Sequence, residues 1–217
     1  MFRAILRVQY RESRLAILVL AGIALAIPLV AFRGLDLRSD PWDAFQLLSA
    51  SGKWSAAYPL LALGLGLVLA GGAWAADHRS RHVYALTLPV ARWRYLLLRY
   101  IAGGILLLGV GALVYAGGAM ALSRLTLPPL LHGYPGGLAI RFCLAGLSAY
   151  TLLFALNGIT QRAARFLVAG LLLLVVLAAL ADLLSLDWHP LGRFMDAVLG
   201  PYSPLAIFRA RWMLIDV

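Results

Sequence analysis

The charged stretch from residue 77 to residue 82 holds the residue types closest to a chemical site. Asp77, His78 and His82 fall within six positions, and on one helix such a set could share a metal ion. Two of the three residues between the histidines are arginines, whose positive charge opposes a bound cation. We therefore favour a solvated charged segment over a metal site.

The rest of the sequence does not support nucleotide binding or nucleophilic catalysis. The one lysine, Lys53, stands in Ser51-Gly52-Lys53-Trp54, which lacks the G-x-x-x-x-G-K-[ST] spacing that holds phosphates. The sequence also lacks Gly-x-Ser-Gly, Glu-Glu and His-Glu-x-x-His signatures. Cys143 is the only cysteine, which excludes an intrachain disulfide. We expect no catalytic residue, metal or cofactor on this chain.

Composition decides the class of protein. The 217 residues are 63% hydrophobic and 13% charged, against roughly 45–50% and about 25% in soluble domains. These values exclude an ordinary soluble enzyme and predict an all-α polytopic membrane protein. The net charge of +10 comes from cations that lie between long apolar runs. That arrangement indicates topology and headgroup contact, not nucleic-acid binding.

Five segments approach the roughly 20 apolar residues that a membrane-spanning helix needs. We predict one transmembrane domain over residues 1–217, with the spans Leu15–Phe32, Ser55–Ala76, Tyr100–Leu122, Leu138–Ile159 and Phe166–Leu184. The third span is rich in glycine, which permits close helix approach. Eleven Lys and Arg residues fall on the side of the N-terminus against eight on the other. This bias predicts a cytoplasmic N-terminus.

The two ends of the chain differ in character. An arginine every three or four positions in residues 1–14 predicts a basic face on an amphipathic helix in the headgroup region. We call this set the arginine stripe: Arg3, Arg7, Arg11 and Arg14. Residues 185–217 contain no run long enough for a span. They are expected to form a re-entrant or interfacial segment outside the cytoplasm.

The loop over residues 77–99, between the second and third spans, is the most informative part of the sequence. After its charged start it continues Val83-Tyr84-Ala85-Leu86-Thr87-Leu88-Pro89-Val90-Ala91-Arg92. Pro89 breaks any helix, and arginines lead back to the membrane. An exposed apolar turn of this kind favours burial against a partner.

This loop resembles that of the permease subunits of type-2 ABC exporters. The resemblance lies in an acidic residue, here Asp77, in Leu86-Thr87-Leu88-Pro89-Val90-Ala91-Arg92, and in a basic residue, here Arg99, that opens the third span. The order of spans, the basic leader and Tyr202-Ser203-Pro204-Leu205 are also similar to the family. Arg81-His82 stand where the family usually has Gly-Thr. Because the family has six spans, we expect either a sixth span beyond residue 217, which we favour, or a shortened member of the family.

The resemblance implies a mechanism and a location. In the family, two permease subunits pair, and each docks its cytoplasmic loop on a separate ATP-binding-cassette ATPase, which holds ATP and magnesium. ATP-driven closure of the ATPases then switches the pathway between inward- and outward-facing states. The second permease subunit is either the same chain or a different one, and the location is the bacterial inner membrane. The implied docking residues are Asp77, Arg81, Tyr84, Leu86, Leu88, Pro89 and Arg92.

Two other classes of protein remain open at this point. A membrane scaffold or assembly subunit could use the same loop to bind a soluble partner without transport. An intramembrane enzyme is less well supported, because the catalytic signatures named above are absent. The spans favour coupling from outside the membrane, since none carries a charge near its middle.

Overall fold

The computed structural model describes residues 1–33, 41–55, 57–79, 91–125, 127 and 131–159, single positions between 166 and 200, and the segments 203–209 and 212–215. The fold is mostly helical, as predicted. The helices are α1 (Phe2–Ala31), α2 (Pro41–Trp54), α3 (Ala57–Arg79), α4 (Arg92–Leu122) and α5 (Pro135–Ile159). A 3-10 helix (Pro204–Phe208) and two short strands, β1 (Leu131–Gly133) and β2 (Met213–Ile215), complete the described elements. The prediction of an all-α protein omitted these strands.

Four helical stretches of the described chain are long and apolar enough to cross a membrane. They are α1, the stretch Ala44–Ala75 that covers most of α2 and α3, α4, and Pro135–Gly158 in α5. These correspond to the first four predicted spans. The fifth predicted span, Phe166–Leu184, lies largely outside the described residues.

Helix α1 is continuous from Phe2 to Ala31. Residues 1–14 are therefore its first half, and not the separate interfacial helix expected from the sequence. Two buried polar side chains in this half explain the difference. Gln9 Nε2 donates a hydrogen bond to the Leu69 carbonyl at 3.3 Å, and Ser13 Oγ donates one to the Val68 carbonyl at 3.4 Å. These bonds hold the basic half of α1 against α3.

Close contacts at glycines show the directions of the helices relative to one another. A Cβ on Gly103 would lie 2.8 Å from Gln9 Nε2, and one on Gly117 would lie 2.7 Å from the Leu25 carbonyl oxygen. Because both numbers rise together, α1 and α4 run parallel. Tyr100 in α4 bonds Thr151 in α5, whereas Gly118 approaches Pro135, so α5 runs antiparallel to α4.

The bundle therefore has two distinct ends. At the loop end, α3 finishes at Arg79 and α4 begins at Arg92. At the far end, α1 finishes while α3 and α5 begin. The interior is packed with small and branched apolar side chains, and many outward positions are apolar as well, as expected of helices that face lipid. Buried examples are Ala24, Ala62, Leu65, Leu69, Val114 and Leu138, and exposed examples are Leu15, Leu108, Ile140 and Leu152.

The described part of the C-terminal segment packs on the far end. Strand β2 pairs antiparallel with β1, and the Tyr134 N–H donates to the Trp212 carbonyl at 2.7 Å. The Trp212 ring is buried and meets Phe32 edge-on, with centroids 5.8 Å apart. Arg209 forms hydrogen bonds through both its backbone and its side chain. Its carbonyl accepts from Arg141 and its Nε donates to Ser55 Oγ, each at 3.3 Å. The segments 203–209 and 212–215 thus brace the ends of several helices.

Candidate functional site

A buried ionic cluster lies at the loop end of the bundle. Its members are Trp74 and Asp77 in the last turns of α3 and Tyr95 and Arg99 in the first turns of α4, and we call it the Asp77 cluster. Asp77 is 1% exposed and Arg99 is 6% exposed. The two helices that carry the cluster are the ones that residues 80–91 connect.

Asp77 and Arg99 form a two-point ion pair. Arg99 Nη2 donates to Asp77 Oδ1 at 3.1 Å, and Arg99 Nη1 pairs with Asp77 Oδ2. The Tyr95 hydroxyl donates to Asp77 Oδ1 at 3.1 Å. The carboxylate therefore receives three hydrogen bonds from α4. A bidentate arginine fixes orientation as well as distance, because its two parallel bonds resist rotation of either group.

Aromatic rings enclose the guanidinium. The Arg99 Cζ atom lies 4.7 Å from the centre of the Tyr95 ring and 5.7 Å from the centre of the Trp74 ring. Both distances are within the range of a cation–π attraction. These rings replace water around the charge, so the pair is shielded from solvent by groups that still interact favourably with a cation.

A second layer links the cluster to α5. Trp74 Nε1 donates to the Phe154 carbonyl at 3.0 Å. Phe154 and Tyr150 pack beside Tyr100, whose ring stacks on Tyr150 with centroids 5.2 Å apart. The rings join α3, α4 and α5 at one level. Movement of the ionic cluster would therefore require repacking of three helices.

The Asp77 cluster forms a rigid connection between α3 and α4. Removal of one partner from a buried ion pair costs about 3–5 kcal/mol, because the remaining charge is left without compensation. Replacement of both partners by apolar groups is often neutral. The pair therefore specifies which part of α3 faces which part of α4. The Asp77 carboxylate is buried and is turned toward the Arg99 and Tyr95 side chains of α4.

The structure places two of the seven predicted docking residues. Asp77 is buried at the end of α3 and is paired with Arg99 of α4. Arg92 is the first residue of α4 and is exposed. The other five, Arg81, Tyr84, Leu86, Leu88 and Pro89, lie outside the described residues.

Sequence reasoning missed three members of the cluster as a site. Arg99 was noted only as the basic residue that opens the third span, and Trp74 and Tyr95 were not singled out. A signal was present, because Tyr95 and Arg99 are four positions apart and Trp74 and Asp77 are three apart. Each pair thus lies on one helix face. The sequence does not say that the two faces meet.

The arginine stripe is exposed along its whole length, at Arg3, Arg7, Arg11 and Arg14. Glu12, on another face of α1, forms an ion pair with Arg79 at the end of α3. The nearby histidine His78 lies beside the Trp74 ring, with centroids 6.0 Å apart. His82, the third member of the metal set weighed above, lies outside the described residues.

An apolar groove of about 770 Å³ runs between α4 and α5 on the outer surface. Small residues form its floor, including Gly104, Gly111 and Ala139, and exposed leucines and isoleucines form its walls. Such a lining offers dispersion contacts and few hydrogen-bonding groups. It suits an acyl chain or another apolar helix equally well.

Comparison with known proteins identifies no relative: no family model, no curated protein and no solved structure matches the chain.

Proposed function

We propose that this chain is the membrane-spanning permease subunit of an ATP-driven exporter of the type-2 ABC class. It would lie in a bacterial inner membrane with a cytoplasmic N-terminus, form the translocation pathway with a second permease subunit, and couple to a separate ATP-binding-cassette ATPase. ATP and magnesium would be bound by that partner. The proposal rests on the loop motif and the order of spans, to which the structure adds one physical argument.

The Asp77 cluster is the structural observation that supports the proposal. A loop that transmits force must be attached to the membrane helices by contacts that stay intact under that force. The two helix ends that flank residues 80–91 are held together by a bidentate ion pair, a tyrosine hydrogen bond and the cation–π contact between Arg99 and Trp74. Displacement of the loop by a partner would therefore move α3 and α4 as a unit.

The proposal gives the docking residues different roles. Asp77 holds the base of the loop, because its carboxylate is buried and engaged by α4. Contact with the ATPase falls to the apolar turn around Leu86 and Leu88 and to the exposed Arg92. A membrane scaffold would need the contact surface but not the rigid base.

Affinity co-purification in mild detergent tests the proposal. The wild type is compared with Leu86→Asp/Leu88→Asp in the loop and with Leu205→Asp/Ile207→Asp at the far end. Leu205 and Ile207 are exposed and also two positions apart, which makes them a matched control. We expect an ATP-hydrolysing subunit to accompany the wild type and the control but not the loop variant.

Two results would contradict the exporter. The first is that folded wild type brings down no ATPase. The second is that a partner binds through the loop but its ATP hydrolysis does not change when the complex is placed in vesicles. That second result would favour the scaffold.

A further inference from the structure

The arginine stripe lies deeper in the bundle than its sequence position implies. The side-chain amide of Gln9 is level with Gly103 of α4, and the backbone of Leu25 is level with Gly117, as the close contacts at these glycines show. Interpolation between them puts Arg11 and Arg14 beside the stretch 105–108 of α4. With about 1.5 Å of rise per residue, Arg14 lies about 8 Å further into the bundle than Gln9.

This stretch of α4 is apolar, and two of its side chains face outward. Ile105 is 45% exposed and Leu108 is 60% exposed, within the helix that is apolar enough to span a membrane. Arg11 and Arg14 are exposed at the same level. Charged side chains in the hydrocarbon core are costly unless an opposite charge accompanies them. The bundle thus presents cations at a depth where lipid tails alone would not stabilise them.

The acidic residues described at this end already have partners. Glu12 is paired with Arg79, and Asp77 is paired with Arg99. Both lie off the stripe. The compensating anion for Arg11 and Arg14 must therefore come from outside the described part of the chain.

The surface next to the stripe indicates which anion fits. Beyond Arg14 the same side of α1 continues with Leu15 and Leu18, which are 73% and 57% exposed. One turn further, Gly22 has open space where a side chain would begin. A cationic face at the loop end thus passes into an apolar, partly vacant face toward the bundle centre. This order matches a phosphate headgroup followed by an acyl chain.

We propose that Arg7, Arg11 and Arg14 bind the headgroup of an anionic phospholipid, whose acyl chain lies along Leu15, Leu18 and Gly22. Helix side chains tilt toward the helix N-terminus, so the guanidinium groups point toward the loop end, where headgroups lie. Arginine suits the role because its planar fork pairs with two phosphate oxygens. The site does not depend on the exporter function.

Native mass spectrometry of the full chain tests this site. The protein is placed in nanodiscs of equal parts phosphatidylglycerol and phosphatidylcholine, extracted in mild detergent, and its retained lipids are counted. We expect the wild type to retain phosphatidylglycerol in excess. Arg11→Gln/Arg14→Gln should lose that excess, whereas Arg33→Gln/Arg124→Gln, which removes two exposed arginines at the far end, should keep it.

A charge-preserving variant separates the site from a folding defect. Arg11→Lys/Arg14→Lys should retain an intermediate excess, because an ammonium still attracts phosphate without the two-point contact. The site would be overturned if the wild type retained both lipids equally, or if the two glutamine variants lost the same amount of lipid. Displacement of the lipid by excess inorganic phosphate would also overturn it. So would an acidic protein that co-purifies with the wild type in place of lipid and is lost from Arg11→Gln/Arg14→Gln.

Discussion

The carboxylate of Asp77 and the guanidinium of Arg99 are paired inside the protein although 22 positions separate them in the sequence. Only 1% and 7% of the two side chains are exposed. The pair joins the last turns of α3 to the first turns of α4 and so closes the base of the loop between them.

Removal of the Asp77 charge should destabilise the bundle. Asp77→Asn leaves the Arg99 cation buried, which costs about 3–5 kcal/mol and lowers the thermal midpoint in detergent by roughly 6–20 °C. Asp77→Leu/Arg99→Leu removes both charges and should unfold closer to the wild-type midpoint. Thermal unfolding of the purified chain measures both effects. A wild-type midpoint for Asp77→Asn would mean that the pair is not buried.

Arg99→Lys should separate coupling from binding, if the proposed exporter function is correct. Lysine keeps the charge but loses the two-point contact with Asp77 and the flat stacking on Tyr95. We expect the same amount of ATPase to co-purify while ATP hydrolysis by the complex falls roughly two- to thirtyfold. Arg141→Lys, at the far end, is the matched control. Equal rates of ATP hydrolysis for Arg99→Lys and wild type would show that the contact between Asp77 and Arg99 plays no part in the mechanism.

Gly66→Ala should weaken the packing of α3 on α5. A Cβ there would lie 2.8 Å from the Tyr150 backbone nitrogen and 3.0 Å from the Ala149 Cβ. Backbone cannot yield as a flexible side chain does, so we expect a loss of about 1–3 kcal/mol. Gly64→Ala, which meets nothing within 4 Å, should keep or slightly raise stability, because alanine favours the helix more than glycine does. Thermal midpoints of the two variants provide the comparison, and equal midpoints would contradict the close approach.

Trp212→Ala should release the C-terminal segment from the far end. The ring is 3% exposed and packs on Phe32, so its loss costs about 3–5 kcal/mol. Hydrogen exchange in residues 203–209 and 212–215 should quicken in this variant. Trp93→Ala removes a ring that is 62% exposed and serves as the control. Unchanged exchange in Trp212→Ala would show that the segment is held by other contacts.

Much of the architecture could be predicted from composition and local pattern. Long apolar runs predicted the four helices that are able to span a membrane, because hydrophobicity over about 20 residues is a local property. Glycine in the third span predicted close approach, and Gly103 and Gly117 do meet α1. Gly104 and Gly109 have open space around them, a difference that the spacing of the glycines did not reveal.

The basic leader shows where local pattern misleads. Its arginine stripe predicted an interfacial helix, since hydropathy changes sharply after Arg14. The helix continues because Gln9 and Ser13, isolated polar residues in the sequence, find carbonyl partners on α3. The depth of the stripe depends on those two bonds. The number of charges in the sequence does not reveal how deep the stripe lies.

The sequence by itself determined the class of protein, the helices that could cross a membrane and the distinctive loop, since these depend on residues that are near neighbours. The tertiary structure decided that Asp77 faces Arg99, that Trp212 is buried, and that Arg14 lies level with apolar residues of α4. Each of these depends on the register between helices far apart in the chain. That register is set by many small packing contacts, and no single stretch of sequence encodes it.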